Sequence, residues 1–262
     1  MLETKPAVFL ISRPQIDWAA MGEYLDVVDG TGWYRRIVEL DAPDGEKLVE
    51  FMGRMCYRSW EAGLNPNVTR VRQDSSEYLG NIISSAHGSV LEHINYSFVF
   101  HHVSRVFTHE LVRHRAGTAI SQESLRYVRL TDIPFSHPAY VLDNPELLQA
   151  ANALLEQMEK FQELTVQATG IDRPDTSFKD KKSITSAARR YAPDGLSTTI
   201  GWTANVRALR HIIAIRTDSA AEAEIRVVFD QVATLMKAEL PALFGDFDRD
   251  QSGSWKPQFH KV

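Results

Sequence analysis

The tripeptide Arg113-His114-Arg115 is the feature that most constrains how this chain can fold. Three consecutive cationic or titratable side chains cannot share one face of a helix, because successive residues rotate by about 100°. At the end of a helix, the same three side chains can fan out around one large anionic ligand. Arginine offers a planar fork of donors that matches phosphate oxygens. The tripeptide therefore predicts a helix end that binds a phosphate-bearing molecule.

The sequence before the tripeptide supports this placement. Ser104 is expected to cap a helix that continues to about His114. The residues expected to face the core recur at four-residue intervals, and they are Val103, Phe107 and Leu111. Three other side chains stand three and four positions apart and so share a second face; they are Glu110, Arg113 and His114. The helix therefore presents a carboxylate beside two potential cations.

The rest of the chain mixes strand and helix patterns without a clean linker. Strands are predicted at 7–11, 94–100, 125–130 and 198–203, and helices at 44–60, 75–87, 145–169, 183–191, 205–217 and 219–240. Residues 15–42 look irregular, 116–121 look like a loop, and the polar tail from about 248 looks loosely ordered. We therefore expect residues 1–262 to form one α+β domain, with a mixed sheet flanked by long helices.

Composition excludes several classes of function. The net charge of −5 over 262 residues argues against wholesale nucleic-acid binding and against a cationic membrane-surface protein. Cys56 is the single cysteine, so neither an internal disulfide nor a cysteine cage for zinc is possible. We expect Cys56 to be buried and inert. No apolar run approaches the ~20 residues of a membrane helix, and the N-terminus lacks the features of a signal peptide. These observations predict a cytoplasmic protein.

The segment His109-Glu110-Leu111-Val112-Arg113-His114 resembles a zinc-protease helix only superficially. That motif needs two histidines four positions apart on one face. Here they are five positions apart, about 140° around a helix, and cannot easily reach one metal. We predict no metal site.

Two further segments carry polar side chains suited to an anion, although each also has an ordinary structural explanation. The hydroxyl of Ser89, beside Gly88, could meet a phosphate, or the segment could be a simple polar turn. Asn205, Arg207 and His211 share one predicted helix whose start favours anions, or they could lie on a solvated face. Arg216, on the same helix, points elsewhere.

Together these segments closely resemble the flavin-dependent thymidylate synthase family. The family signature is Arg-His-Arg, seven residues, Ser, and an Arg two positions on. Roughly residues 48–247 take part in the resemblance. The matching positions are Arg113-His114-Arg115, Ser124 and Arg126; His87, Ser89, Glu92 and His93 upstream; and Ala188-Arg189, Pro193, Asn205, Arg207 and Arg216 downstream.

The resemblance implies an α+β fold, a homotetramer and active sites shared between subunits. It implies transfer of a methylene from methylenetetrahydrofolate to C5 of dUMP, giving dTMP, with FAD reduced by NADPH and no cysteine nucleophile. The residues implied to hold FAD are Ser89, Arg113, His114, Arg115, Gln122, Asn205, Arg207 and His211. Those implied to line the uridylate pocket are Glu110, Arg113, Gln122, Glu123, Ser124, Leu125, Arg126, Arg189 and Arg216. Arg216 aligns with the arginine that activates the pyrimidine.

The chain departs from the family pattern at two places. Eight residues, not seven, separate Arg115 from Ser124, which leaves the placement of Gln122 and Glu123 uncertain by one position. A longer loop near the sugar could admit a ribose hydroxyl, so a UMP C5-methylase of modified-nucleoside (nucleoside antibiotic) biosynthesis is the alternative. Ala220 stands where some members have a histidine. A non-enzymatic nucleotide or nucleic-acid binder, with no flavin and a steep salt dependence, is the competing class.

Overall fold

A computed structural model describes residues 2–68, 70–124 and 133–262 of the chain. The strands are β1 (Leu2–Glu3), β2 (Ala7–Ser12), β3 (Asn95–Ser104), β4 (Thr118–Gln122), β5 (Pro134–Phe135), β6 (Ser197–Asn205), β7 (Phe247–Arg249) and β8 (Trp255–Pro257). The α-helices are α1 (Trp18–Val27), α2 (Thr31–Glu39), α3 (Asp44–Tyr57), α4 (Ser75–Ser84), α5 (Arg105–Leu111), α6 (Ala139–Leu142), α7 (Pro145–Thr169), α8 (Phe178–Ala188), α9 (Val206–Arg216), α10 (Ala223–Glu239) and α11 (Pro241–Phe244). Two 3₁₀ helices cover Gly88–His93 and Arg189–Tyr191.

A four-stranded sheet in the order β2-β3-β6-β4 forms the centre of the fold, and its neighbouring strands are all antiparallel. On β3, Phe98 and Phe100 point to the same side and are fully buried beside Trp202 of β6. Phe229 of α10 packs against Trp202 with ring centroids 5.7 Å apart. The main core therefore lies between one face of the sheet and the helices, which confirms the α+β prediction. Among the described residues, parallel pairing occurs between β1 and β5, which form a separate two-stranded sheet. The main sheet is therefore antiparallel, and the prediction that it is mixed is wrong in this respect.

The prediction that residues 15–42 are irregular is wrong, because they form α1 and α2. The Asp17 side chain caps α1 by accepting from the amide of Ala20 at 3.0 Å. The apolar residues of both helices stand four positions apart and pack around the buried Trp60; they are Met21 and Leu25 in α1, and Trp33 and Ile37 in α2. The sequence carried this signal, but the Asp29-Gly30 turn divides it into two helices too short to stand out.

Helix starts and ends differ from the predictions where a side-chain cap or a sheet edge decides them. Ser104 caps α5 as expected, with its Oγ accepting from the amide of Phe107 at 3.0 Å, but the helix ends at Leu111. The segment predicted as a loop, 116–121, instead contains β4, because it pairs with the edge of β6. Helix α8 begins at Phe178 rather than 183, and α10 at Ala223 rather than 219. The predicted strand at 125–130 lies outside the described residues.

Two further predictions from polarity are wrong. The tail is ordered: β7 pairs with β8, and Trp255 is only 8% exposed. The amide of Trp255 donates to Thr217 Oγ1 at 2.8 Å, and its indole nitrogen donates to Asp230 Oδ1 at 2.8 Å. Cys56 is exposed on α3 rather than buried.

In the described part of the chain, no helix combines the length and the apolar character that crossing a membrane requires.

Candidate active site

A cleft of about 840 Å³ opens where the residues after α5, the start of α9 and the last residues of the chain meet. Six of the eight residues expected to bind FAD line it, and they are Arg113, His114, Arg115, Asn205, Arg207 and His211. The end of α5 at Leu111 lets the Arg-His-Arg tripeptide spread over the cleft wall, as a continuous helix would not. The fold thus brings together segments that lie about 90 positions apart in the sequence.

The other two expected FAD residues do not line this cleft. Ser89 lies exposed on the 3₁₀ helix Gly88–His93. Gln122 lies on β4 and donates from Nε2 to Thr108 Oγ1 at 3.2 Å. Since the resemblance implies sites shared between subunits, their role in holding FAD stays a prediction.

Asn205 shapes the floor of the cleft as well as lining it. Its Oδ1 accepts from the amide of Ala208 at 2.8 Å and so caps α9, as the sequence predicts. Gly117 approaches closely, because its φ is +69° and a Cβ there would lie 2.5 Å from Asn205 Nδ2. A side chain at position 117 would therefore be strained and would displace Asn205. Gly117 was not predicted to belong to the site, although a glycine inside the segment after Arg-His-Arg was the available signal.

Arg207 is held from two sides at the mouth of the cleft. Its Nη1 donates to Glu92 Oε1 at 2.6 Å, and its Nε donates to the main-chain oxygen of Val262 at 3.0 Å. Glu92 was part of the recognised motif without an assigned role. Val262 was missed, because nothing in the sequence shows that the tail folds back onto α9.

Arg216 lies behind the cleft wall, where three of its nitrogen atoms are engaged. Its Nε donates to His114 Nε2 at 2.7 Å, its Nη2 donates to the carbonyl of Glu110 at 3.1 Å, and its Nη1 pairs with the Glu110 carboxylate. The Arg216 side chain is 15% exposed. A guanidinium carries five N–H donors, so one hydrogen on each Nη remains for a ligand. Glu110, His114 and Arg216 therefore meet within one chain.

His114 is held in its neutral form. The pKa of His114 is lowered to about 4, first by burial and then by the neighbouring Arg216 and His211, while Glu110 opposes the shift. Because Nε2 accepts from Arg216, the ring proton of the neutral form sits on Nδ1. His114 is thus a hydrogen-bond acceptor for Arg216 at neutral pH, and it adds no positive charge to the cleft.

The remaining uridylate residues are dispersed in the single chain. Glu123 lies on the edge of β6, where its Oε2 accepts from the amide of Thr199 at 3.2 Å, and Ser124 follows it, half-buried. Arg189 is exposed and lines a different, basic cleft of about 590 Å³, together with Lys179, Lys182 and Arg190. Leu125 and Arg126 lie outside the described residues. The set does not form one pocket within the described part of this chain.

The described residues contain no cluster of metal-binding side chains. Among residues 2–68, 70–124 and 133–262, no group of three or more His, Cys, Asp or Glu side chains is placed to hold a metal ion. The absence of a metal site stays a prediction.

The donors of the cleft fit a dinucleotide such as FAD. Four arginines line it, and Arg210 among them is paired with Asp246. The guanidinium groups of the other three, Arg113, Arg115 and Arg207, match a diphosphate in charge and hydrogen-bond geometry. The N-terminus of α9, an 11-residue helix, lies at the same wall and favours an anion. The volume falls within the range of about 300–1,000 Å³ that is usual for cofactor sites.

Fold and cleft together define an α+β protein whose cleft suits a large phosphate-bearing ligand. Residues 36–242 match the family described as thymidylate synthase complementing protein. The chain is 35% identical over 246 residues to the flavin-dependent thymidylate synthase of Mycobacteroides abscessus, covering 91% of this chain and 86% of that protein. It is 37% identical over 214 residues to the flavin-dependent thymidylate synthase of Mycobacterium tuberculosis, covering 79% and 82%. The chain therefore belongs to this family of enzymes, which confirms the resemblance.

A solved structure supports the fold independently. The UMP/dUMP methylase PolB from Streptomyces cacaoi, bound with 5-Br dUMP, superposes with a TM-score of 0.61. The similarity covers 94% of this chain and 96% of that one, at 18% sequence identity. At that identity the similarity bears on the fold alone, and it extends over nearly the whole chain.

Proposed function

We propose that this chain catalyses the FAD-dependent C5 methylation of dUMP to dTMP, with methylenetetrahydrofolate as carbon donor and NADPH as reductant. The observation that carries the proposal is Arg216, fixed by Glu110 and His114 directly behind a cleft lined with guanidinium groups. Membership of the family and relatives named flavin-dependent thymidylate synthase support it. A cytoplasmic location, expected from the single cysteine, belongs to the same proposal.

Arg113, Arg115 and Arg207 would hold the phosphates of FAD, and His211 and Asn205 would complete the wall of α9. When bound, FAD reduced by NADPH supplies the hydride that completes the methyl group. Because His114 is neutral and half-buried, it separates the phosphate-binding arginines from Arg216 without adding charge.

Arg216 would polarise the pyrimidine. A guanidinium placed against the O2/N3 edge of uracil stabilises the negative charge that develops there when C5 becomes nucleophilic. One hydrogen on each Nη remains after the described bonds to Glu110 and could serve this contact. Electrostatic activation removes the need for a cysteine that adds to the ring. Consistent with that, Cys56 is exposed on α3 and is not among the described residues that line the cleft.

The dispersal of the uridylate residues supports a homotetramer with shared sites. Arg189 lines its own basic cleft, away from the cleft beside Arg216 in the same chain. If a second subunit brings its Arg189 to the Arg216 of the first, phosphate and base of one nucleotide are bound together. We propose that assembly completes the uridylate pocket in this way.

The test is to purify the protein, record its visible spectrum, and assay dTMP formation from dUMP, methylenetetrahydrofolate and NADPH. We expect bound oxidised flavin and turnover that depends on all three substrates. The C56S variant is the matched control and should retain full activity. A colourless protein whose nucleotide affinity falls steeply with salt would instead favour the non-enzymatic binder. Loss of turnover in C56S would contradict the flavin route.

UMP methylation is the second candidate, because eight residues separate Arg115 from Ser124 where the family has seven. Pockets reject an added hydroxyl poorly unless they clash with it. Steady-state kcat/KM for dUMP and UMP, measured side by side, separates the two functions. We expect dUMP to be preferred, and an equal or higher kcat/KM for UMP would assign the chain to UMP methylation.

A further inference from the structure

The last five residues, 258–262, form a segment beyond the family match, which ends at residue 242. We call it the C-terminal segment. It leaves β8 and runs along α9, and Phe259 and Val262 pack against the main core. Four of its residues line the cleft that is proposed to hold FAD; they are Phe259, His260, Lys261 and Val262. The segment is therefore part of the cleft wall.

A buried ion pair fixes the start of the C-terminal segment. Arg210 of α9 is 3% exposed and donates two parallel bonds to the Asp246 carboxylate, at 2.7 and 2.8 Å. Asp246 also accepts two hydrogen bonds from the segment. The amide of Gln258 donates to its carbonyl oxygen at 2.9 Å, and the amide of Phe259 donates to its Oδ2 at 3.3 Å. Moving the segment would remove these two amide donors from Asp246, although the Arg210–Asp246 pair itself would remain.

The end of the C-terminal segment fixes Arg207. The Val262 oxygen accepts from Arg207 Nε at 3.0 Å, while Glu92 accepts from Nη1 at 2.6 Å. Gly88 makes room for this contact, because a Cβ there would lie 2.2 Å from the carbonyl carbon of Val262. The described contacts of Arg207 use Nε and Nη1. These two bonds fix the plane of the guanidinium and so set the direction of Nη2, which has no described contact.

We propose that the C-terminal segment is a fixed wall of the cofactor cleft, and that Val262 positions Arg207 to donate from Nη2 to a diphosphate oxygen. The inference rests on the proposed binding of FAD. Val262 is a positioning residue in this account, because it acts on the ligand only through Arg207. The alternative is that the C-terminal segment is a displaceable strap that competes with the cofactor for the cleft. The packing of the partly buried Phe259 and Val262 against the core and the bonds to Asp246 oppose it, because they hold the segment in place.

The test is a set of FAD titrations of the apoprotein, followed by flavin fluorescence. The variants are a deletion of residues 261–262, K261A, R207A, and R207A combined with the deletion. The deletion keeps Phe259 and its bonds to Asp246 and Arg210, and a thermal melt of each variant confirms that it folds. K261A is the matched control, because it removes the charge lost in the deletion but keeps Val262.

We expect the deletion to raise the Kd for FAD about tenfold, as loss of a hydrogen bond to a charged group does. K261A should have a smaller effect. In the R207A background the deletion should change the Kd little, because the two changes act through one contact.

Three results would overturn the inference: an unchanged or lower Kd in the deletion, a K261A effect as large as that of the deletion, or additive effects of R207A and the deletion. A lower Kd would identify the segment as a competing strap. A wild-type protein that binds no FAD would overturn the proposed cofactor and this inference together. If the wild type binds FAD and the deletion matches it, only this inference fails.

Discussion

The Nε of Arg216 donates a hydrogen bond to Nε2 of His114 at 2.7 Å. The first residue belongs to the proposed uridylate pocket, and the second lines the proposed FAD cleft. One hydrogen bond thus joins the walls of the two sites, although 102 positions separate the residues. Because the positive charge of Arg216 helps to lower the pKa of His114, the position of Arg216 and the protonation of His114 are linked.

The substitution R216A should abolish most dTMP formation while FAD remains bound. Removing a preorganised donor that stabilises developing charge costs about 10²–10³ in kcat. R216K keeps the charge but lacks the planar fork, so we expect intermediate activity. The measurements are turnover with dUMP and the visible spectrum of the purified variants. Turnover of R216A near the wild-type rate would remove Arg216 from the mechanism.

Glu110 should act on turnover only through Arg216. E110A removes the carboxylate partner of Nη1 and frees the guanidinium, so kcat with dUMP should fall about tenfold or more. E110Q keeps a side-chain oxygen as acceptor and should recover most of that loss, with FAD affinity near the wild-type value in both variants. If E110Q were as impaired as E110A, the negative charge of Glu110, rather than its hydrogen bond, would be the required feature.

Acid should destabilise the protein through His114. The pKa of His114 is lowered from 6.5 to about 4 in the folded chain, mainly by burial. The unfolded chain therefore binds more protons between these pH values, so the contribution to the free energy of unfolding is full above pH 6.5 and is lost as pH falls towards 4.

H114Q tests this contribution, because its amide oxygen can accept from Arg216 Nε but does not titrate. Melting temperatures of both proteins, recorded from pH 7 to pH 4, give the difference. We expect the wild type to lose more stability than H114Q as the pH falls. Parallel pH profiles would mean that His114 is not held neutral by the fold.

Local patterns predicted the parts of the site that depend on one segment. Ser104 and Asn205 act as caps, because capping is set by neighbouring residues. The helical face expected for Glu110, Arg113 and His114 does not form, because α5 ends at Leu111, and Glu110 and His114 instead meet through Arg216. The recognised motif then indicated which distant segments meet at the cleft. The two caps are confirmed, because the physical cause of each lies within a few residues of the position concerned.

The parts that were missed depend on long-range contacts. The tail reads as polar, yet Trp255 and Phe259 anchor it to the core and Asp246 pairs with a buried arginine of α9. Cys56 lies in an apolar sequence, yet the face of α3 that carries it stays exposed. In each case burial is decided by what packs against the segment, which the local sequence does not encode.

Asn205 combines a structural and a binding role that two substitutions can separate. N205A removes the oxygen that caps α9, so the free energy of unfolding should fall by about 1 kcal/mol. N205D restores an acceptor, and its negative charge suits a helix N-terminus, so stability should return to the wild-type level or above. The same carboxylate faces the cleft where the FAD phosphates are proposed to bind, so N205D should raise the Kd for FAD more than N205A does. Urea unfolding and FAD titration of both variants test the pair. If N205D were stable and bound FAD as tightly as the wild type, the phosphates would have to lie away from the start of α9.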